Sequence, residues 1–152
     1  KRLLEIEIPE LSDGTIMLYS VARDAGSRSK IAVYTEYTNV DPIGAVIGEK
    51  GRRIANVLKE LSGEKIDVIL YDKDPVKFIA NALSPAKDVK VSIKDETKKE
   101  ALALVNDKNL SLAIGKKGQN VKLASRLTHY KIEVKPEEQE NTETTEETSV
   151  EE

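Results

Sequence analysis

The 152 residues contain no cysteine, one histidine and 4% aromatic side chains. That excludes disulfides, thiolate metal sites and a cysteine nucleophile, and leaves little conventional acid–base machinery. The formal net charge of −3 hides an asymmetry. Eight of the 27 acidic residues are glutamates in 136–152, which hold no Lys or Arg, so residues 1–135 carry all 24 basic side chains against the remaining 19 acidic ones. A mildly basic body favours polyanionic partners, although taken alone an excess of this size reads as ordinary surface charge. No apolar run approaches the roughly 18 residues of a membrane span and no signal pattern opens the chain, so a cytoplasmic, membrane-free, monomeric protein is expected. The first residue is Lys1 rather than Met, which reads as a fragment.

Residues 1–12 hold Leu3, Leu4, Ile6 and Ile8, interrupted by Pro9, and read as the end of a preceding domain. Asp13-Gly14 is a turn signal. Thr15–Val21 reads as a strand with Ile16, Leu18 and Ala22 inward, Arg23–Ser29 as a loop, and Ile31–Tyr37 as a second strand. Asp41-Pro42 opens a helix, because Asp can cap free amides and Pro suits the first helical position. Ile43, Val46 and Ile47 bury a turn or two before Gly48. After Gly51, the residues Ile54, Val57, Leu58 and Leu61 follow the spacing of a half-buried helix, with Gly63 where a left-handed cap belongs. Ile66–Tyr71 is the third strand.

Asp74-Pro75 repeats the capped start, with Val76, Ile79, Ala80 and Leu83 on one side of a helix that Ser84-Pro85 stops. Val89, Val91 and Ile93 alternate as a half-exposed strand, and Ala101–Val105 returns as the next. Leu110–Ile114 and then Val121, Ala124 and Leu127 form a helix pair, and Lys131–Lys135 a final strand. These boundaries give one unit at 13–73 and a second at 74–135. The link is short, and the apolar face of Phe78–Leu83 is available to pack between them. From Pro136 the Glu/Thr-rich chain cannot bury enough apolar surface to offset its ordering entropy, so 136–152 is expected to be a disordered acidic tail.

One stretch occurs twice. Val46-Ile47-Gly48-Glu49-Lys50-Gly51-Arg52-Arg53-Ile54 returns 67 positions later as Ala113-Ile114-Gly115-Lys116-Lys117-Gly118-Gln119-Asn120-Val121. Leu61–Val68 echoes Leu127–Val134 at an offset of 66. This is an internal repeat, and units of about 60–70 residues are marginal alone, so the two should pack together. A lone Gly-x-x-Gly means little; two in matching helix–loop–helix settings mean more. Glycine lets the backbone turn sharply and admits a ligand closely, and the following helix presents unpaired amides and the positive end of its dipole. Such an end binds phosphate. The candidate contacts are Gly48, Glu49, Lys50, Gly51, Arg52 and Arg53 in the first loop. In the second they are Gly115, Lys116, Lys117, Gly118, Gln119, Asn120 and Lys122.

Other chemistry is not supported. Gly44–Lys50 lacks the Gly-Lys-Ser/Thr ending of a nucleotide-binding P-loop. Asp74 before Pro75 reads as a helix cap rather than a metal ligand, and His129 as a turn residue. Tyr19, Tyr34, Tyr37, Tyr71 and Tyr130 read as packing residues. No catalytic group, metal site or cofactor is assigned.

The loops resemble those of KH domains, where a GxxG loop clamps about four nucleotides of a single strand. Two strands before the helix pair and one after it match the type II arrangement. Longer strings resemble the tandem KH region of the bacterial NusA family over residues 1–135. They are Asp24-Ala25-Gly26-Ser27-Arg28-Ser29-Lys30, Asn39-Val40-Asp41-Pro42-Ile43-Gly44, Phe78-Ile79-Ala80-Asn81-Ala82-Leu83-Ser84-Pro85 and Leu110-Ser111-Leu112-Ala113-Ile114-Gly115. The resemblance implies an α+β fold of two packed type II KH domains. It also implies binding of nascent single-stranded RNA, and a role in pausing, termination and antitermination with RNA polymerase and other antitermination factors. The KH parts of polynucleotide phosphorylase or ribosomal protein S3 fit the tandem order and the Ala-Asn-Ala-Leu-Ser-Pro string less well. A scaffold binding an acidic protein is the alternative of another class. Glu49 departs from a phosphate-binding loop, and the acidic tail lies outside the resemblance.

Overall fold

A computed structural model describes residues 2–61 and 64–137. The order is α1 (Arg2–Glu7), α2 (Pro9–Asp13), β1 (Met17–Asp24), β2 (Arg28–Tyr34), α3 (Pro42–Ile47), α4 (Arg52–Glu60), β3 (Lys65–Leu70), then α5 (Pro75–Ala82), β4 (Lys90–Asp95), β5 (Glu100–Val105), α6 (Asp107–Ile114), α7 (Gln119–Thr128) and β6 (Lys131–Pro136). The fold is α+β, with two three-stranded sheets ordered β1-β2-β3 and β4-β5-β6. In each, the first two strands are antiparallel and the third runs parallel to the second. The sequence repeat is thus a topological repeat.

The helix starts follow their caps. The Asp41 carboxylate accepts from the Gly44 amide at 3.1 Å and the Asp74 carboxylate from Val76 at 3.0 Å, each with proline next in the chain. Asn106 caps α6 in the same way, accepting from Asn109 at 3.0 Å.

Three expectations need correction. Residues 1–12, expected as the end of a preceding domain, contribute α1 and α2 to the first core. Leu4 and Ile8 are buried there with Ile16, Ile31, Val33, Val46 and Val57. The loop expected over Arg23–Ser29 shrinks to a three-residue turn, because β1 runs on to Asp24 and β2 begins at Arg28. The cause is Glu64, which is 1% exposed. It accepts from Arg23 Nε and Nη2, from the Gly26 amide at 2.9 Å and from Ser29 Oγ at 2.6 Å. A buried carboxylate needs such partners, so it organises the polar strand ends around itself. β2 also stops at Tyr34, three residues before the expected Tyr37. The Gly63 cap and the tail beyond Glu137 lie outside the described residues.

The first sheet is covered on both faces. One face meets α1, α3 and α4; the other places Ala22, Ala32 and Ile69 against Phe78, Ile79 and Leu83 at α5 and Leu123, Ala124 and Leu127 of α7. Ala101 and Ala103 of β5 join this second core, so α5 and α7 lie between the two sheets. Ser29–Val33 is buried at every position, as a strand packed on both sides requires. Lys30 is wholly buried, and its Nζ donates to Asp67 at 2.9 Å and to the Ser84 carbonyl at 2.7 Å. Burial pushes the Lys30 ammonium down in pKa while Asp67 opposes the shift. The ammonium joins the first unit's strand to the end of the second unit's first helix. Among the described residues, no helix is long and apolar enough to cross a membrane.

Candidate nucleic-acid interface

The two loops share one backbone conformation. Gly48 has φ 80° and ψ 171°; Gly115 has 77° and 169°. Lys50 (55°, 27°) matches Lys117 (56°, 26°), and Gly51 (73°, 15°) matches Gly118 (75°, 13°). In each, the first glycine's amide closes the preceding helix, from Gly48 to Gly44 at 2.9 Å and from Gly115 to Ser111 at 2.8 Å. Gly51 and Gly118 then stand at the N-caps of α4 and α7 with no side chain capping the free amides. The first amide of each helix is taken locally, Arg52 donating to the Glu49 carbonyl and Gln119 to the Lys116 carbonyl.

The glycines do different work. A Cβ on Gly48 would come within 2.7 Å of Arg53 Cγ, and one on Gly115 within 2.7 Å of the Asn120 amide nitrogen. The first glycine of each pair therefore admits the next helix. A Cβ on Gly51 would meet nothing within 4 Å, and one on Gly118 only Lys122 Cε at 3.7 Å. The second glycine faces open space, which is where a phosphate would approach.

Of the candidate residues, Glu49, Lys50 and Arg52 are exposed on the first loop, and Lys116, Lys117 and Lys122 on or beside the second. Three others are engaged within the fold. Arg53 Nη1 donates to the Glu10 carboxylate and, at 2.9 Å, to the Ala45 carbonyl. Gln119 Nε2 donates to Asp24 at 2.8 Å and to Ser27 Oγ at 2.7 Å, joining the second loop to the β1–β2 turn. Asn120 is fully buried, and its Nδ2 donates to the Leu83 carbonyl at 3.1 Å and the Ala113 carbonyl at 2.9 Å. Asn120 is a scaffold residue, not a surface contact.

A cleft of about 650 Å³ runs from Ile43 of α3 and Val68 and Leu70 of β3 onto Asn81, Ala86 and Lys87 of the second unit. Its far end reaches the start of α6, since the Lys87 amide donates to Asn109 Oδ1 at 3.0 Å. A groove of mixed lining on α3 and β3 of the first unit thus continues onto the second unit. Asn81 and Lys87 escaped the sequence reading, because only the packing of α5 against β3 brings them there. Tyr19 and Tyr71 stack at 3.9 Å, with Tyr34 and Phe78 against them, so these rings do pack on one another.

Comparison with known proteins agrees with this geometry. A model of the NusA-like first KH domain matches residues 1–71, and one of the NusA-like second KH domain matches residues 75–142. The transcription termination/antitermination protein NusA of Halalkalibacterium halodurans is 54% identical over 137 residues, 90% of this chain and 36% of that protein. The Bacillus subtilis protein of the same name is 53% identical over 137 residues, again 90% of this chain, and 37% of its own length. The chain thus spans little more than a third of these relatives. The crystal structure of APE1850 superposes with a TM-score of 0.61 at 24% identity, covering 88% of this chain and 96% of that one, a likeness of fold.

Proposed function

The chain carries two tandem KH domains of the NusA-like family, and from that membership we propose that it binds one strand of RNA across both domains. The observation that carries this reading is the pair of superposable loops, each with an open second glycine, uncapped amides and exposed cations. A phosphodiester backbone matches those features, and the partly aliphatic cleft shared by the two units suits unstacked bases. The relatives' names extend the reading to transcription termination and antitermination in the cytoplasm, with RNA polymerase and other antitermination factors as partners of the whole protein. The chain binds rather than catalyses, acts as a monomer, and divides into domains near residue 74, with residues 2–13 serving the first.

The test is fluorescence anisotropy with labelled single-stranded RNA, duplex RNA of the same sequence and an acidic peptide, each at two salt concentrations. Single strands should bind tightest, with log affinity falling by about 0.7 per neutralised phosphate for each tenfold rise in salt. Preference for the acidic peptide would replace the RNA reading with the scaffold one.

A further inference from the structure

Past the second loop lies a cleft that neither unit builds alone. It measures about 500 Å³, with Lys116, Lys117, Lys122 and Arg126 on one wall and Asp24 and Ser27 of the first unit's β1–β2 turn on the other. Lys122 and Arg126 sit four apart on α7, on the face that Leu123 and Leu127 do not use, so their backbones are about 6 Å apart along the helix. None of the ion pairs among the described residues engages any of the four cations. The opposing acid is already committed, because Asp24 accepts from Gln119. Ser27 Oγ accepts from the same nitrogen, so its own O–H remains free to donate. A concave wall with four cations against one engaged carboxylate concentrates positive potential, which favours a polyanion. The first unit offers a weaker counterpart: the repeat places Ala55 at the position of Lys122 and Glu49 at that of Lys116, and keeps Lys50 and Lys59 at those of Lys117 and Arg126.

We propose that the RNA strand held at the second loop continues into this cleft, where Arg126 neutralises one further phosphate and Ser27 donates to a phosphate oxygen. The proposal rests on the RNA reading above and adds a subsite beyond the clamp. The 650 Å³ groove approaches the start of α6 and this cleft follows its end, so the strand enters along α6 and leaves between α7 and the turn.

The experiment uses the full chain, an Arg126→Gln variant and nested single-stranded RNAs lengthened one nucleotide at a time from either end. For the unaltered chain, one or two nucleotides added at one end should raise affinity about fivefold and steepen the salt dependence by about 0.7, the value for one phosphate. The variant should lose that gain while binding the shortest RNA within about twofold of the unaltered chain. Equal weakening at every length would overturn the proposal, because Arg126 would then act at the loop itself. No weakening at any length would overturn it too. If a polyglutamate peptide loses affinity for the variant while RNA does not, the cleft serves an acidic segment and the RNA subsite is wrong. If the unaltered chain binds none of the RNAs, the broader RNA reading falls with it, and that result is distinct from a failure confined to the longer RNAs.

Discussion

The two GxxG loops agree within about 3° in every dihedral of their paired residues, yet they are held in place differently. Two positions after the second glycine, the first loop has Arg53 and the second has Asn120. Arg53 reaches sideways to Glu10, and both partners stay about a third exposed. Asn120 is buried and hydrogen-bonds to Leu83 at the end of α5 within its own unit, while Gln119 beside it holds the first unit's β1–β2 turn. The first loop leans on its own unit, and the second is anchored to both. Charge differs as well, since Glu49 stands where the second loop has Lys116. Glycine placement sets loop conformation through backbone sterics, whereas rigidity and electrostatic strength come from the neighbours each loop meets.

Substitution at the first glycines should break this comparison most sharply. Gly115→Ala adds a Cβ 2.7 Å from a backbone nitrogen, in a left-handed conformation, and should cost about 3 kcal/mol in urea unfolding. Gly48→Ala places its Cβ 2.7 Å from Arg53 Cγ and 3.0 Å from the Arg53 backbone nitrogen, a looser backbone approach than at Gly115, and should cost about 2 kcal/mol. Equal losses would mean that both loops are supported alike. Next in size, Asn120→Ala strands the Leu83 and Ala113 carbonyls inside the second unit and should cost about 2 kcal/mol, against less than about 1 kcal/mol for the partly exposed ion pair lost in Arg53→Ala. Thermal melts of the two variants side by side would decide it.

Charge reversal probes binding rather than folding. Lys116→Asp with Lys117→Asp changes the second loop by four charges; Glu49→Asp with Lys50→Asp changes the first by two. Asp tolerates the left-handed conformation of positions 50 and 117, so circular dichroism should stay intact. RNA affinity should fall about tenfold or more in the second case and about threefold in the first. A larger loss at the first loop would invert the ranking, and no loss at either would remove both loops from the binding surface.

The smallest effect concerns acid. Glu64, which holds the turn that Gln119 grips, has its carboxyl held down to about 2 chiefly by the hydrogen bond from Arg23, against the upward push of burial. A folded-state value below the ordinary 4.5 gives stability that is present above about pH 4.5 and is lost as pH falls toward 2. Glu64→Gln should therefore lower stability by about 1–2 kcal/mol at pH 7 and progressively less on acidification. Chemical unfolding at pH 7 and pH 3 measures the difference, and a constant gap would disconnect Glu64 from the acid response.

Much was legible in the sequence because it is local. The repeat offset, the glycine pairs, the Asp-Pro helix starts and the alternation in β4 and β5 each express a preference of a few adjacent residues, and the structure realises them. The strand ends at Asp24 and Arg28 were not legible, since their polar residues are ordered by Glu64, some 40 positions away. Nor was the burial of Lys30, whose partners are Asp67 and the Ser84 carbonyl. Arg53, Gln119 and Asn120 read from the loop motif as further phosphate contacts, but Arg53 Nη1 is held by Glu10 and Ala45, Gln119 Nε2 by the β1–β2 turn, and Asn120 is buried. Ala22, Ala32, Ala103 and Ala124 carry no distinctive pattern, yet their small size lets two sheets close on α5 and α7. Periodicity tells that a side chain is turned inward; only tertiary packing decides what it is turned against, because that partner is set by chain closure over long sequence separations.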